Sequence, residues 1–140
     1  MSAPPMLPDE AAMIDLAVAA AARAHAPYSR FRVGVALRLA DGTLIPGCNV
    51  ENATYSLTNC AERTALFAAI AAGRRDFSAM VIYTDTPAFS SPCGACRQVL
   101  YELAPDLPLA LVYRGRRVHR LSVRELLPHA FDEAQLRSGQ

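Results

Sequence analysis

Three of the four cysteines stand where helices should begin: Cys60 ahead of an alanine-rich run, Cys93 and Cys96 at the mouth of another. A helix N-terminus presents unbonded amide donors and partial positive charge, which lowers a thiol pKa and favours the thiolate. Thiolates are what zinc binds. A Cys-x-x-Cys pair alone fits a redox couple equally well. A third cysteine at a second helix start, with Glu62 two residues beyond it, turns the pattern toward a metal. Three protein ligands leave a tetrahedral zinc one open position, the arrangement of a catalytic site, where water is acidified toward neutrality. Glu62 is placed to face that water without binding the metal. Two plainer readings stay open here: Cys48 could complete a closed four-thiolate structural site, and Glu62 could be a solvated residue of an alanine-rich helix.

The elements that must position these residues are readable from periodicity and turn residues. Asp9 is the expected N-cap of a first helix with Met13, Ile14, Ala17, Val18 and Ala21 as its apolar stripe, ending before Pro27. Residues 31–40 read as a strand, Asp41-Gly42 as a hairpin turn and residues 43–48 as the partner strand. Residues 49–59 are polar and loop-like. From Cys60 the pattern turns helical through Ala61, Ala65, Leu66, Ala68, Ala69 and Ile70, with Gly73 as a natural stop. Residues 80–83 form a short buried strand, a loop runs through Ser90-Ser91-Pro92, and a third helix spans residues 94–103 before Pro105. Residues 107–113 and 118–121 are the last strands, and Ser122 caps a short helical turn reaching Leu127. The order α-β-β-α-β-α-β-β implies an α/β layered domain: a mixed five-stranded sheet with helices packed on its faces.

The 140 residues suit one domain, with residues 1–8 as a flexible, proline-rich N-terminal segment. That segment lacks the basic start and apolar run of a signal peptide. The apolar stretches, residues 16–22 among them, are far short of the roughly 20 residues of a membrane span. A cytoplasmic location is the expectation, and with it reduced cysteines acting as ligands or catalysts. The 52% hydrophobic and 19% charged composition rules against disorder, and the net charge of +1 is too balanced for an electrostatic hold on nucleic acid. All 14 basic residues are arginine, a mark of GC-rich coding. The basic run at residues 113–120 reads as an exposed hairpin turn centred on Gly115. His25, His119 and His129 have no ligand-like spacing.

The chain resembles the short, all-cysteine class of the zinc-dependent cytidine deaminases nearly from end to end. The resemblance is carried by Pro27-Tyr28-Ser29 with Phe31 and Val33-Gly34, and by Asn49-Val50-Glu51-Asn52-Ala53 with Tyr55. It continues in Cys60-Ala61-Glu62-Arg63, Pro92-Cys93-Gly94-Ala95-Cys96-Arg97-Gln98, and Leu126-Leu127-Pro128 with Phe131. It implies hydrolytic deamination of cytidine and deoxycytidine within pyrimidine salvage, with one Zn²⁺ per subunit held by Cys60, Cys93 and Cys96. Glu62 would then carry protons between the water, ring N3 and the departing amine. Asn49 and Glu51 would hold the ribose 3′-hydroxyl, with Phe31 against the ring and the Ala61 backbone near the base edge. Ala53, Tyr55 and Phe131 would act from neighbouring subunits of a homotetramer.

Arg63 follows from charge counting. Three thiolates on one Zn²⁺ leave a formal charge of about −1, which blunts the metal as a Lewis acid. A guanidinium donating to a thiolate sulfur withdraws some of that charge. The competing readings are a blasticidin-S-type antibiotic nucleoside deaminase on the same scaffold, a polynucleotide-editing deaminase and a non-enzymatic zinc module. The cytidine pattern at residues 49–53 and at the C-terminal aromatic disfavours the first. Neutral charge and the absence of tryptophan disfavour the second.

Overall fold

The computed structural model describes residues 4–140. Its helices are α1 (Glu10–Ala21), α2 (Ala61–Ala71), α3 (Gly94–Leu103), α4 (Val123–Leu126) and α5 (Glu133–Ser138). Its strands are β1 (Val33–Leu39), β2 (Leu44–Cys48), β3 (Phe77–Thr84), β4 (Pro108–Tyr113) and β5 (Arg117–Ser122). Side chains alternate across a strand, so each strand feeds two cores. Val35, Leu37, Met80, Ile82, Leu109 and Leu111 face α2 and α3; Ala36, Ala79, Val81, Ala110 and Val112 face α1. The sheet runs β2-β1-β3-β4-β5, antiparallel except for the parallel β3–β4 pair. That parallel pair requires a crossover, which is α3, and Cys93 and Cys96 ride on it. The expected layered α/β domain is therefore the observed one.

Two glycines set how closely the helices lie on the sheet. A Cβ at Gly34 would sit 1.9 Å from the carbonyl oxygen of Ala17 in α1, and one at Gly47 would sit 2.4 Å from that of Ala61 in α2. Gly47 thus lets the first turn of α2, next to Cys60, rest directly on β2. Gly47→Ala is expected to lower stability by about 1–3 kcal/mol, as overpacking does, because the obstacle is backbone. Denaturant unfolding reads the loss. An unchanged midpoint would mean α2 is free to move off the strand.

Several local expectations shift under tertiary contacts. Asp9 occupies the residue before α1, but at φ 56° its side chain makes no cap bond and pairs instead with Arg38 Nε at 2.9 Å. Its carbonyl still accepts the Met13 N–H at 2.9 Å. The segment read as flexible over residues 1–8 is tied down at Leu7, which is 6% exposed in the α1-side core. The Leu7 N–H donates to Glu10 Oε2 at 2.9 Å, and the same carboxylate pairs with Arg120 of β5, which holds the Glu10 carboxyl below the usual carboxylate range. Pro4, Pro5, Met6 and Pro8 are exposed, and the part of that expectation at residues 1–3 lies outside the described residues. β3 begins three residues earlier than its apolar run because Leu39 of β1 pairs with Phe77. α5 was not expected; its signal is Asp132, whose Oδ1 accepts the Gln135 N–H at 3.0 Å. No helix among the described residues is long and apolar enough to cross a membrane.

Candidate metal centre and substrate cleft

Cys60 and Cys93 occupy the residues before α2 and α3, each in extended conformation, and Cys96 lies in the first turn of α3. Neither preceding thiol caps its own helix. The first-turn amides therefore remain unbonded by these side chains, and the positive ends of two helix dipoles meet at the sulfurs. The three Sγ atoms lie within 4.8 Å of one another, with Cys60 and Cys93 3.8 Å apart. A disulfide requires about 2.05 Å. A tetrahedral zinc with Zn–S of about 2.3 Å holds its sulfurs about 3.8 Å apart. The donor set fits zinc. Cys48, at the end of β2, is outside this group, which is the one such cluster among the described residues.

Charge is arranged around the sulfurs in both senses. Arg63 Nη2 donates to Cys60 Sγ at 3.2 Å. Its Nε–H is buried without a partner, so the guanidinium keeps donor capacity beside groups that gather negative charge. Hydrogen bonding from Cys96, with help from Arg63 and Cys93, pulls the Cys60 thiol well below its ordinary range. The Cys96 thiol is pushed up by its hydrogen bond to Cys60 and by burial. Glu62 is 5% exposed, and its Oε2 accepts from Cys96 Sγ at 3.3 Å. Burial raises the Glu62 carboxyl above the usual range, opposed by its own backbone N–H and by Cys96. A carboxyl so placed takes up a proton more readily than an exposed one.

A cleft of about 390 Å³ opens in front of these groups. Of the residues singled out from the sequence, Phe31, Asn49, Glu51, Cys60, Ala61, Glu62 and Cys93 line it. Cys96 is buried behind them. Ala53, Tyr55 and Phe131 are exposed and are not among the lining residues. Asn49 is locked in place: its Nδ2 donates to Phe31 O at 2.7 Å, and its Oδ1 accepts the Val33 N–H at 2.8 Å. Glu51 Oε1 accepts the N–H groups of Tyr28 and Ser29, and Oε2 accepts the Ser29 hydroxyl. These bonds, that from the Ser29 hydroxyl foremost, keep the Glu51 carboxyl below its usual range. Three of about four carboxylate lone-pair sites are used, leaving acceptor capacity toward the cleft. Val33 and Pro92 line it as well, and so do Ser29, Thr58, Ile82, Thr84, Ser90 and Ser91, to which sequence reasoning gave no role. Only Ser29 carried a signal, standing in the Pro27-Tyr28-Ser29 motif.

With this geometry in view, residues 8–108 match the family model described as the cytidine and deoxycytidylate deaminase zinc-binding region. The chain belongs to that family. The matched deaminase region holds all three cysteines and Glu62 and ends before Phe131, so zinc is the metal this donor set takes. A cytidine deaminase of Halalkalibacterium halodurans is 50% identical over 124 residues, which is 88% of this chain and 94% of that protein. One from Mycobacterium tuberculosis is 41% identical over 116 residues, 82% and 84% of the two chains. A crystal structure of cytidine deaminase from Burkholderia pseudomallei superposes with a TM-score of 0.84 at 51% identity, covering 86% of this chain and 98% of that one.

Proposed function

We propose that this protein hydrolyses cytidine and deoxycytidine to uridine and deoxyuridine with release of ammonia, as one domain acting in cytoplasmic pyrimidine salvage. The observation that carries the reading is Glu62, a buried carboxyl of raised pKa at the cleft, 3.3 Å from a thiol of the metal triad. Zinc held by Cys60, Cys93 and Cys96 supplies, when bound, a Lewis acid that makes water nucleophilic at neutral pH. Glu62 accepts a proton from the attacking water and delivers it to ring N3. As the C4–N bond breaks, the same carboxylate takes the second proton, from the hydroxyl newly formed at C4, and passes it to the amine, which departs as ammonia while the C4 carbonyl forms. Arg63 draws charge from the Cys60 sulfur.

Recognition in this reading comes from both ends of the nucleoside. Glu51 accepts the ribose 3′-hydroxyl through its remaining lone pair, beside Asn49, whose orientation is set by Phe31 and Val33. The Phe31 ring packs against the substrate, and the Ala61 backbone faces the base edge. The working form is a homotetramer in which Ala53, Tyr55 and Phe131 complete a neighbour's cleft. Exposure of Tyr55 and Phe131 at 76% and 57% supports this.

The test is ammonia release from free cytidine, free cytosine and blasticidin S. Cytidine should turn over; cytosine should be a very poor substrate, because sugar binding orients the reacting base. Turnover of blasticidin S in place of cytidine would reassign the protein to antibiotic nucleosides. Glu51→Gln should lower kcat/KM for cytidine by about 10²-fold, the loss of a charge-assisted hydrogen bond, with little effect on cytosine. Equal losses on both would make Glu51 a loop-stabilising residue.

A further inference from the structure

An exposed aromatic ring is ordinarily a mobile one, yet the backbone under Phe131 is held from both sides. Gln98 Nε2 donates to the Phe131 carbonyl at 2.8 Å, and Gln135 Nε2 donates to that of Ala130 at 2.9 Å. Asp132 caps α5 immediately after it. Two residues before it, His129 adopts φ 54°, a left-handed conformation that non-glycine residues rarely take, and bends the chain there.

The residue beside Gln98 ties in a second direction. Arg97 Nε donates to Pro92 O at 2.8 Å, Nη2 to Ser91 Oγ at 2.7 Å and Nη1 to Leu126 O at 2.9 Å. Ser91 and Pro92 line the chain's own cleft. The stretch of α3 that follows Cys96 therefore grips its own cleft wall and the C-terminal segment bearing Phe131.

We propose that Gln98 is a positioning residue for the site of the adjacent copy. Its carboxamide fixes the Phe131 backbone so that the ring is presented, already ordered, to a pyrimidine bound in the next subunit. This rests on the shared-site reading above. Ordering the ring in advance removes an entropic cost that each binding event would otherwise carry.

The test uses Gln98→Glu, which keeps shape and position but can only accept, so it cannot bond a carbonyl. A carboxylate early in a helix is well tolerated, so folding and zinc content should be unchanged. kcat/KM for cytidine should fall about tenfold, the worth of one hydrogen bond, chiefly through KM. Gln98→Glu is then mixed, with dissociation and reassembly, with inactive Glu62→Ala. Hybrid sites combine wild-type Glu62 from one chain with a Phe131 held by wild-type Gln98 from the other. Activity at low cytidine should rise several-fold above the weighted sum of the parents. Phe131→Ala mixed with Glu62→Ala is run in parallel. Rescue with Phe131→Ala but not with Gln98→Glu would confine Gln98 to its own site and overturn the inference while the shared site stands. Rescue with neither would remove the shared site, and this inference with it. Unchanged kcat/KM in Gln98→Glu would also overturn it.

Discussion

Glu62→Gln should cost about 10⁴-fold in kcat, the upper end of what one acid–base group contributes, because a single carboxyl is asked to serve several proton transfers. The substitution is nearly isosteric. Glutamine can still fill the buried space and hydrogen-bond to Cys96, but it can neither take a proton from water nor deliver one to N3. Zinc content and nucleoside affinity should therefore survive, which metal analysis and calorimetric titration check. The variant should be at least as stable as the parent. Burial raises the Glu62 carboxyl, meaning the folded state disfavours its charged form, and a neutral amide avoids that penalty. A dead, well-folded, zinc-loaded protein is the expected result. Residual activity above a few per cent would assign the proton transfers to another group.

The second large effect is on the metal. Serine at Cys60, Cys93 or Cys96 removes a thiolate from a set of three, and zinc affinity should fall by more than the roughly 100-fold that outer contacts alone are worth. One zinc per chain should be found in the parent and in Cys48→Ser, and almost none in the other three after dialysis. Cys48 pairs with Gly34 across β1 and β2 and stands outside the sulfur cluster. Loss of zinc from Cys48→Ser would mean a closed four-thiolate site, and the hydrolytic reading would fail with it. The three ligand variants should also be less stable, because they lose the metal that binds the folded state preferentially.

Much of this protein is written locally. The α3 bounds 94–103, the Asp41-Gly42 turn and the helix start after Cys60 are all visible as periodicity and punctuation, because caps and turns act within a few residues. The chemistry was legible for the same reason: helix starts are local, and cysteines placed at them announce thiolates. Long-range contact decided the rest. The 3.8 Å between Cys60 and Cys93 joins residues 33 apart, and the Glu10–Arg120 pair that draws Leu7 into the core joins residues 110 apart. Sequence left a four-thiolate site with Cys48 open, and the sheet closes that question by committing Cys48 to the β2 edge while α2 and α3 bring the other three sulfurs together. Asp9 shows the converse: a good cap by type, redirected because Arg38 offers its carboxylate an ion pair. Residue type and spacing determine which groups are able to bind metal and move protons. Distance determines which of them do, and distance is settled by how the sheet and helices pack.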